Sequence, residues 1–137
     1  MSSKIRVLFL CTGNSARSQM AEALLRHADN EHFEVYSAGT DLVPINPSAL
    51  SVLERAGVSV EGLYSKSLPD LESSEFDVVI TLCDKAAQEC KRLPQNSEVL
   101  AWSFEDPATS KDPRAFEHTL QAIHDRIKLF VLVKTKR

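Results

Sequence analysis

Cysteine and aromatic residues are sparse in this sequence, and long apolar runs are missing. The 137 residues include three cysteines, an odd number that argues against a framework of structural disulfides. No C-x-x-C pair is present, so the sequence gives little support to a zinc site and predicts no bound metal. The longest apolar stretch, at residues 129–133, is far below the ~20 residues that cross a bilayer. We therefore expect no membrane association and a location in the cytoplasm.

The sequence also lacks a strong excess of either charge. Sixteen Lys and Arg residues against nineteen Asp and Glu residues give a net charge of −3, which makes nucleic acid a poor partner. The N-terminus has no apolar core of the kind found in secretion signals. Hydrophobic residues make up 43% of the chain, and folding at this length buries roughly two-thirds of the surface. We predict one globular domain over residues 1–137.

Two kinds of apolar pattern alternate along the chain. The predicted strands are short and mostly apolar, and cover residues 5–10, 33–39, 77–82 and 98–102. The predicted helices have apolar residues at steps of three and four. The first starts just after the Cys11 segment and runs to residue 28, and the others cover residues 47–56 and 116–130. Asn14 or Ser15 is placed to cap the first helix, and Gly57 to end the second. This alternation predicts an α/β fold with a parallel sheet and helices on both faces.

Side chains suited to chemistry follow three of the predicted strands. Cys11, Cys83 and Asp106 each come after the end of a strand. Ligands of parallel sheets bind beyond the carboxyl ends of the strands. We therefore expect these three residues on one rim, flanked by the loop-rich residues 40–46 and 61–74.

The segment that begins at Cys11 has the composition of an oxyanion-binding loop. Five residues separate Cys11 from Arg17, Gly13 permits a tight turn, and a helix begins within the segment. Successive backbone N–H groups can then point into one cup that binds a tetrahedral oxyanion. Arg17 and the helix N-terminus favour the thiolate of Cys11, and Ser18 can donate a hydrogen bond to its sulfur. The predicted oxyanion-binding residues are Thr12, Gly13, Asn14, Ser15, Ala16, Arg17 and Ser18.

With this loop the chain resembles the low-molecular-weight tyrosine phosphatase superfamily, and most closely its thioredoxin-coupled arsenate reductase branch. The resemblance covers nearly the whole chain. Besides residues 7–23, it is carried by Tyr36-Ser37-Ala38-Gly39-Thr40, Asn46-Pro47, Thr81-Leu82-Cys83 with Cys90, and Trp102-Ser103-Phe104-Glu105-Asp106-Pro107-Ala108. It implies a flavodoxin-like, three-layer sandwich with four parallel strands. It also implies Cys11 as nucleophile, Arg17 as oxyanion clamp and Asp106 as general acid.

Two branches of this superfamily share the loop and the Asp-Pro pair but differ in their chemistry. Tyrosine phosphatases of this type usually place an aromatic residue after the Asp-Pro pair, where it stacks on a phenyl ring; here Ala108 follows. The reductase branch needs two further thiols, and Cys83 and Cys90 match its pair in spacing. The resemblance therefore implies an arsenate reductase. The alternative is a low-molecular-weight protein tyrosine phosphatase that acts through a phosphocysteine.

The reaction implied by the resemblance uses the three thiols in order. Cys11 attacks the arsenic of arsenate while Asp106 protonates the departing oxygen, which gives a thiol–arsenate adduct. Cys83 attacks the Cys11 sulfur and arsenite leaves, after which Cys90 attacks Cys83. Thioredoxin, or a glutathione and glutaredoxin system, would reduce the resulting Cys83–Cys90 disulfide, with no bound cofactor. Phosphate-like oxyanions fit the same loop, so weak phosphatase activity is expected.

Two positions depart from the reductase branch. Many relatives have a further cysteine where this chain has Ala16, but that cysteine is not one of the three relay thiols. Some reductases bind potassium through Asn, Glu, Ser and Asp side chains. Asn14, Glu22 and Ser37 match the first three, whereas Lys66 stands at the fourth position. We expect no potassium site, because the lysine ammonium can supply the same positive charge.

Other interpretations stay open at the level of sequence. A cysteine phosphocarrier of the sugar-transport type has a similar fold, although Arg17 and Asp106 favour turnover over a lasting phosphocysteine. A pure anion-binding module would leave Asp106 and the paired cysteines unexplained. Cys83 and Cys90 could also be packing residues on a helix. A disulfide between them requires unwinding, because seven helical residues rise ~10 Å whereas disulfide-linked alpha carbons lie about 4.4 to 6.8 Å apart.

Overall fold

Four strands form one parallel sheet in the computed structural model, which describes residues 4–39, 41–67, 75–82 and 98–135. In chain order they are β1 (Ile5–Cys11), β2 (Phe33–Gly39), β3 (Val78–Thr81) and β4 (Glu98–Ala101). Side by side in the sheet they lie in the order β2-β1-β3-β4. The helices described are α1 (Arg17–Ala28), α2 (Pro47–Arg55), the 3₁₀ helix Pro107–Thr109 and α3 (Ala115–Thr135). The predicted four-stranded parallel sheet is confirmed. Cys83 and Cys90 lie outside the described residues.

Strand β1 lies inside the sheet, with β2 on one side and β3 on the other. Its residues from Val7 to Cys11 are all buried. A parallel strand that is covered on both faces needs apolar side chains in both directions, which explains the unbroken apolar run. The carboxyl end of β1 brings Cys11 to the edge of the sheet, in register with Gly39 of β2.

The larger hydrophobic cluster joins one set of alternating β1 residues to helices α1, α2 and α3. Its fully buried helical members include Met20, Leu25, Leu53 and Ile123. Burying one such side chain contributes about 1.5–3 kcal/mol, so this cluster supplies a large share of the stability. Both faces of β1 are buried, as the predicted layered fold requires, and the smaller cluster contains Leu8, Leu10, Ala38, Phe76 and Val79.

Helix α2 begins and ends as its sequence predicts. The Asn46 side chain accepts a hydrogen bond from the Ser48 amide at 2.8 Å, and Pro47 is the first helical residue. After the helix, Gly57 takes a φ of 78°, a left-handed conformation that favours glycine.

The predicted cap of helix α1 is wrong. The residue before the helix is Ala16, and no side chain accepts a hydrogen bond at this N-cap. Asn14 and Ser15 lie too early in the chain to cap a helix that begins at Arg17, and the Asn14 side chain is engaged elsewhere. Without a capping side chain, the first turn of α1 presents its backbone N–H groups at the end of the loop.

Helix α3 spans 21 residues and is amphipathic. Ile123, Ile127 and Phe130 are buried, whereas Leu129 and Leu132 are exposed. Within the described part of the chain, no helix is long and apolar enough to cross a membrane. The extent of the single domain over residues 1–137 stays a prediction.

Gly39 provides a test of how closely β2 packs on the loop. A Cβ at Gly39 would lie 2.7 Å from the Thr12 backbone oxygen and 2.9 Å from the Asn14 backbone nitrogen. We expect Gly39→Ala to lower the free energy of unfolding by about 1–3 kcal/mol, because backbone atoms must move. It should also weaken the binding of inorganic phosphate. Urea unfolding and calorimetric titration measure the two effects.

Gly57→Ala is the matched control. Its φ of 78° makes alanine strained, but a Cβ there would meet no atom within 4 Å. It should cost about 1–2 kcal/mol of stability and leave phosphate binding unchanged. Parental phosphate affinity in the Gly39→Ala variant would contradict the predicted contact between β2 and the loop.

Candidate active site

The predicted catalytic residues on β1, α1 and the segment after β4 line one cavity. Cys11 ends β1 and is 2% exposed. The cavity has a volume of about 520 Å³. Its walls are Cys11, Thr12, Gly13, Ser15, Ala16, Arg17, Asp41, Val43, Pro44, Ile45, Asn46, Pro47, Asp106 and Ala108. The structure therefore brings Cys11, Arg17 and Asp106 together, as expected for residues at one rim of a parallel sheet.

Residues 41–46 tie down the carbonyl groups of the loop. The amides of Asp41, Val43 and Asn46 donate to the carbonyls of Thr12 (2.8 Å), Gly13 (3.0 Å) and Ser15 (2.9 Å). The C=O of one residue and the N–H of the next point in opposite directions in a trans peptide. Fixing these carbonyls on one side therefore turns the following N–H groups to the other side, the arrangement that binds an anion. The sequence predicts a flanking loop here, but not these hydrogen bonds.

Asn14 has a left-handed backbone, with a φ of 51°. This conformation costs roughly 1–2 kcal/mol for a residue with a Cβ, so neighbouring groups must stabilise it. The Lys66 amide donates to Asn14 Oδ1 at 2.8 Å, and Gln19 Nε2 lies 2.9 Å from both oxygens of Asn14. Ser65 Oγ lies 3.0 Å from the Asn14 carbonyl oxygen. The loop is thus held in place from α1 and from residues 65–66.

The Asn14 side chain holds the hydroxyl group of Ser18 beside Cys11. Because the Lys66 amide can only donate, Asn14 Oδ1 must face it and Nδ2 must face the other way. Asn14 Nδ2 donates to Ser18 Oγ at 2.8 Å and to Ser37 Oγ at 3.0 Å. Ser18 Oγ lies 2.9 Å from Cys11 Sγ. Asn14 uses one lone pair of Ser18 Oγ and leaves the Ser18 hydrogen available, so Ser18 is the donor whenever the sulfur is ionised and can only accept.

Arg17 and Asp106 face each other across the cavity. Arg17 Nη2 lies 3.9 Å from Asp106 Oδ2, and the Arg17 side chain is 14% exposed. Arg17 Nη1 donates to the Phe104 carbonyl at 2.9 Å, which anchors one end of the guanidinium. Asp106 Oδ1 accepts from the Ala108 amide at 3.0 Å and so caps the 3₁₀ helix. The Arg17 guanidinium and the Asp106 carboxyl group are thereby held over the same space.

Sequence analysis does not identify two residues that contribute to the site, Phe104 and Gln19. Phe104 acts through its carbonyl group, and a backbone contact leaves no mark on residue type. Gln19 is completely buried although it is polar, and a polar residue on the buried side of a predicted helix is a detectable signal. Its amide connects the loop to the Tyr64 carbonyl at 2.8 Å.

The model of the low molecular weight phosphotyrosine protein phosphatase family matches residues 6–137. The chain belongs to this family. Among curated relatives, the arsenate reductase of Halalkalibacterium halodurans is 35% identical over 135 residues, which cover 95% of this chain and 96% of the relative. The arsenate reductase of Bacillus licheniformis is 37% identical over 134 residues, with 93% and 96% covered. The resemblance to the arsenate reductase branch is confirmed.

A solved structure gives the same fold. The thioredoxin-dependent arsenate reductase of Corynebacterium glutamicum superposes with a TM-score of 0.78 at 28% identity. The match covers 100% of this chain and 66% of that longer protein. The flavodoxin-like fold class expected from the resemblance is confirmed.

Lys66 occupies the fourth position of the pattern that it forms with Asn14, Glu22 and Ser37. Its ammonium lies 3.2 Å from Glu22 Oε1, 3.3 Å from Ser37 Oγ and 3.1 Å from the Tyr64 carbonyl oxygen. The Lys66 and Glu22 side chains are 6% and 3% exposed. A metal cation at this point would have to displace a buried ammonium, so these residues do not fit potassium. The part of the chain that the structure describes also contains no cluster of three His, Cys, Asp or Glu side chains that could hold a metal.

The buried contacts of the Lys66 ammonium predict that potassium has no specific effect on stability or on phosphate binding. We expect equal melting temperatures and equal phosphate affinities in potassium and sodium chloride at the same ionic strength. An ion at about 100 times its dissociation constant would add about 2.7 kcal/mol of stability, which thermal unfolding readily detects. A potassium-specific rise of several degrees would show that a cation site exists despite Lys66.

Proposed function

We propose that this chain is an arsenate reductase that works through a Cys11 thiol–arsenate adduct and a relay of three thiols. The observation that carries the proposal is the convergence of Cys11, Arg17 and Asp106 on one cavity that is lined by residues 11–17 of the loop. The curated relatives of this chain that carry the name arsenate reductase support the choice of substrate.

The first step follows from the position of each group. Arsenate binds with its oxygens on the loop N–H groups and on the Arg17 guanidinium. The Cys11 thiolate, stabilised by Ser18, attacks arsenic. Asp106 donates a proton to a hydroxyl group of the bound arsenate, and this group leaves as water when the bond between sulfur and arsenic forms. Charge that develops on the remaining oxygens meets fixed donors, which lowers the barrier without rearrangement of the site.

The second step transfers two electrons to arsenic. The Cys83 thiolate attacks Cys11 Sγ and forms a Cys11–Cys83 disulfide. The bond between sulfur and arsenic breaks, its electron pair stays on arsenic, and arsenite leaves. Support comes from the end of β3: Leu82, the residue before Cys83, donates a backbone hydrogen bond to Leu10, the residue before Cys11.

Regeneration completes the cycle. Cys90 attacks Cys83, frees Cys11 and leaves a Cys83–Cys90 disulfide for an external thiol reductant. We propose thioredoxin as this reductant, since the C. glutamicum relative is a thioredoxin-dependent enzyme. If glutathione and glutaredoxin were the reductant in place of thioredoxin, the order in which the three thiols react would be the same. Because the relay needs reduced thiols, the proposal includes a cytoplasmic location.

Phosphate esters reach only the first step of this chemistry. Phosphorus is not reduced by thiols, so a phosphocysteine would be hydrolysed, and we propose weak phosphatase activity as a side reaction. The cavity wall beside Asp106 is Ala108, and the other apolar wall residues include Val43, Pro44 and Ile45. Without an aromatic residue at position 108, a phenyl ring loses its stacking surface, which argues against a dedicated tyrosine phosphatase.

Replacing the nucleophile tests the shared first step. We expect Cys11→Ser to lower both arsenate reduction and aryl phosphate hydrolysis by at least about 10³-fold, because a serine hydroxyl is not ionised at neutral pH. Steady-state assays of both reactions provide the measurement. Inorganic phosphate should still bind to the variant, since the loop amides and Arg17 remain. Retained turnover of either substrate would show that Cys11 is not the nucleophile.

Removing the last thiol separates reductase from phosphatase. In Cys90→Ser, the loop, Arg17 and Asp106 are unchanged, so a small aryl phosphate should be cleaved at close to the parental rate. Multiple turnover of arsenate with thioredoxin should stop. One arsenite per protein molecule should still form, and peptide mapping should find Cys11 joined to Cys83.

Two matched samples complete this experiment. Cys83→Ser should release no arsenite, because the first adduct cannot be attacked. The parent protein, after one turnover without reductant, should carry a Cys83–Cys90 disulfide. If Cys90→Ser turns over arsenate at the parental rate, the relay is wrong and Cys90 is a packing residue.

A further inference from the structure

Tyr64 covers the buried charge pair behind the loop. The centroid of its ring lies 4.6 Å from Lys66 Nζ, within the range of a cation–π contact. Tyr64 is 60% exposed, whereas the Lys66 side chain is 6% exposed. A ring that is open to water and stacked on a buried ammonium separates that ammonium from water. The Tyr64 carbonyl accepts a hydrogen bond from the same ammonium, so backbone and ring both hold Lys66.

We propose that Tyr64 is a positioning residue for Cys11 and acts through the Lys66–Glu22 pair. The inference rests on the proposed role of Cys11 as the nucleophile. The Tyr64 ring excludes water from the charge pair, and the pair in turn aligns the hydrogen bonds that stabilise the Cys11 thiolate.

Lys66 holds Asn14 from two directions. Its backbone amide donates to Asn14 Oδ1 at 2.8 Å. Its ammonium lies 3.3 Å from Ser37 Oγ, which also accepts from Asn14 Nδ2 at 3.0 Å. Asn14 Nδ2 then orients Ser18 toward Cys11. A shift of Lys66 therefore moves both ends of the amide that holds Ser18 Oγ beside Cys11.

Exclusion of water matters because it sets the strength of these contacts. Charge interactions and cation–π contacts are stronger in a desolvated site than in water. Glu22 also accepts a hydrogen bond from Arg26 at 2.7 Å, and Ser37 donates to Glu22 at 2.6 Å. Truncation of the Tyr64 ring would admit water to this group and give Lys66 an alternative partner. Lys66 would then hold Asn14 less firmly.

Among the residues that the structure describes, the other charged groups lining the cavity are held by contacts that do not involve Tyr64. Arg17 and Asp106 line the cavity and are tethered by residues 104–108. Asp41 lines the same cavity and is fixed through its amide to the Thr12 carbonyl. A change at Tyr64 leaves these tethers in place, so its effect on Cys11 reports on the Lys66–Glu22 side of the loop.

The experiment compares Tyr64→Ala with Tyr64→Phe. The rate at which iodoacetamide alkylates Cys11 is measured across pH, and peptide mass mapping separates Cys11 from the other cysteines. We expect the Tyr64→Ala profile to shift to higher pH, with alkylation at neutral pH slowed about three- to tenfold. Tyr64→Phe keeps the ring and should stay within about twofold of the parent. Should Tyr64→Ala fail to fold, Tyr64→Gln removes the ring while keeping a long side chain, with the same expectation.

Two controls distinguish this positioning role from a nonspecific loss of local structure. Leu129→Ala truncates another exposed side chain, 61% exposed on α3, and should leave the alkylation profile unchanged. In a Lys66→Met background, Tyr64→Ala should add nothing, because the proposed route passes through the ammonium. A parental profile in Tyr64→Ala, an equal shift in Tyr64→Phe, or additive effects with Lys66→Met would each overturn the proposal.

Alkylation needs no arsenate, so this test is independent of the proposed reaction. If arsenite is never formed but the Tyr64 variants behave as expected, the proposed function is wrong and the positioning role stands. If arsenite is formed and the Tyr64→Ala profile is parental, the positioning role alone is wrong.

Discussion

The side-chain amide of Asn14 is the interaction on which the site depends. Its oxygen accepts from the Lys66 amide, and its nitrogen donates to Ser18 and Ser37. Because each end has one chemical role, the amide cannot turn without loss of hydrogen bonds on both sides. It therefore transmits the geometry of the buried charges to the hydroxyl group beside Cys11. The left-handed backbone of Asn14 is tolerated because these contacts offset its strain.

The two sides of the loop carry different polar groups. On the cavity side are backbone N–H groups and Arg17, which suit an incoming oxyanion. Behind the loop, Glu22 contacts both Lys66 and Arg26, so the buried carboxylate is paired. Loss of one partner from such a pair costs about 3–5 kcal/mol, whereas the intact pair holds a specific geometry. Stability and reactivity of the loop thus depend on the same buried groups.

Sequence patterns predict most of the fold because the sheet is parallel and buried. Such strands are short apolar runs, and residues 5–10 and 77–82 differ from the observed β1 and β3 by only one residue at any end. The cap of α1 is the instructive error. Asn14 has the right residue type for a cap, but tertiary contacts with Lys66 and Ser37 engage its side chain instead. Propensity describes a residue alone, and here distant partners decide its role.

The sequence by itself determined the order of elements, the loop with Cys11 and Arg17, and the place of Asp106 after the end of a strand. These depend on local spacing and on the rule that parallel strands end at one edge of a sheet. Only the tertiary structure decided how Asn14 is oriented, how residues 41–46 hold the loop carbonyls, and that Lys66 and Tyr64 lie behind the loop. The reason is physical: these contacts join residues far apart in the chain, and several use backbone groups that every residue carries.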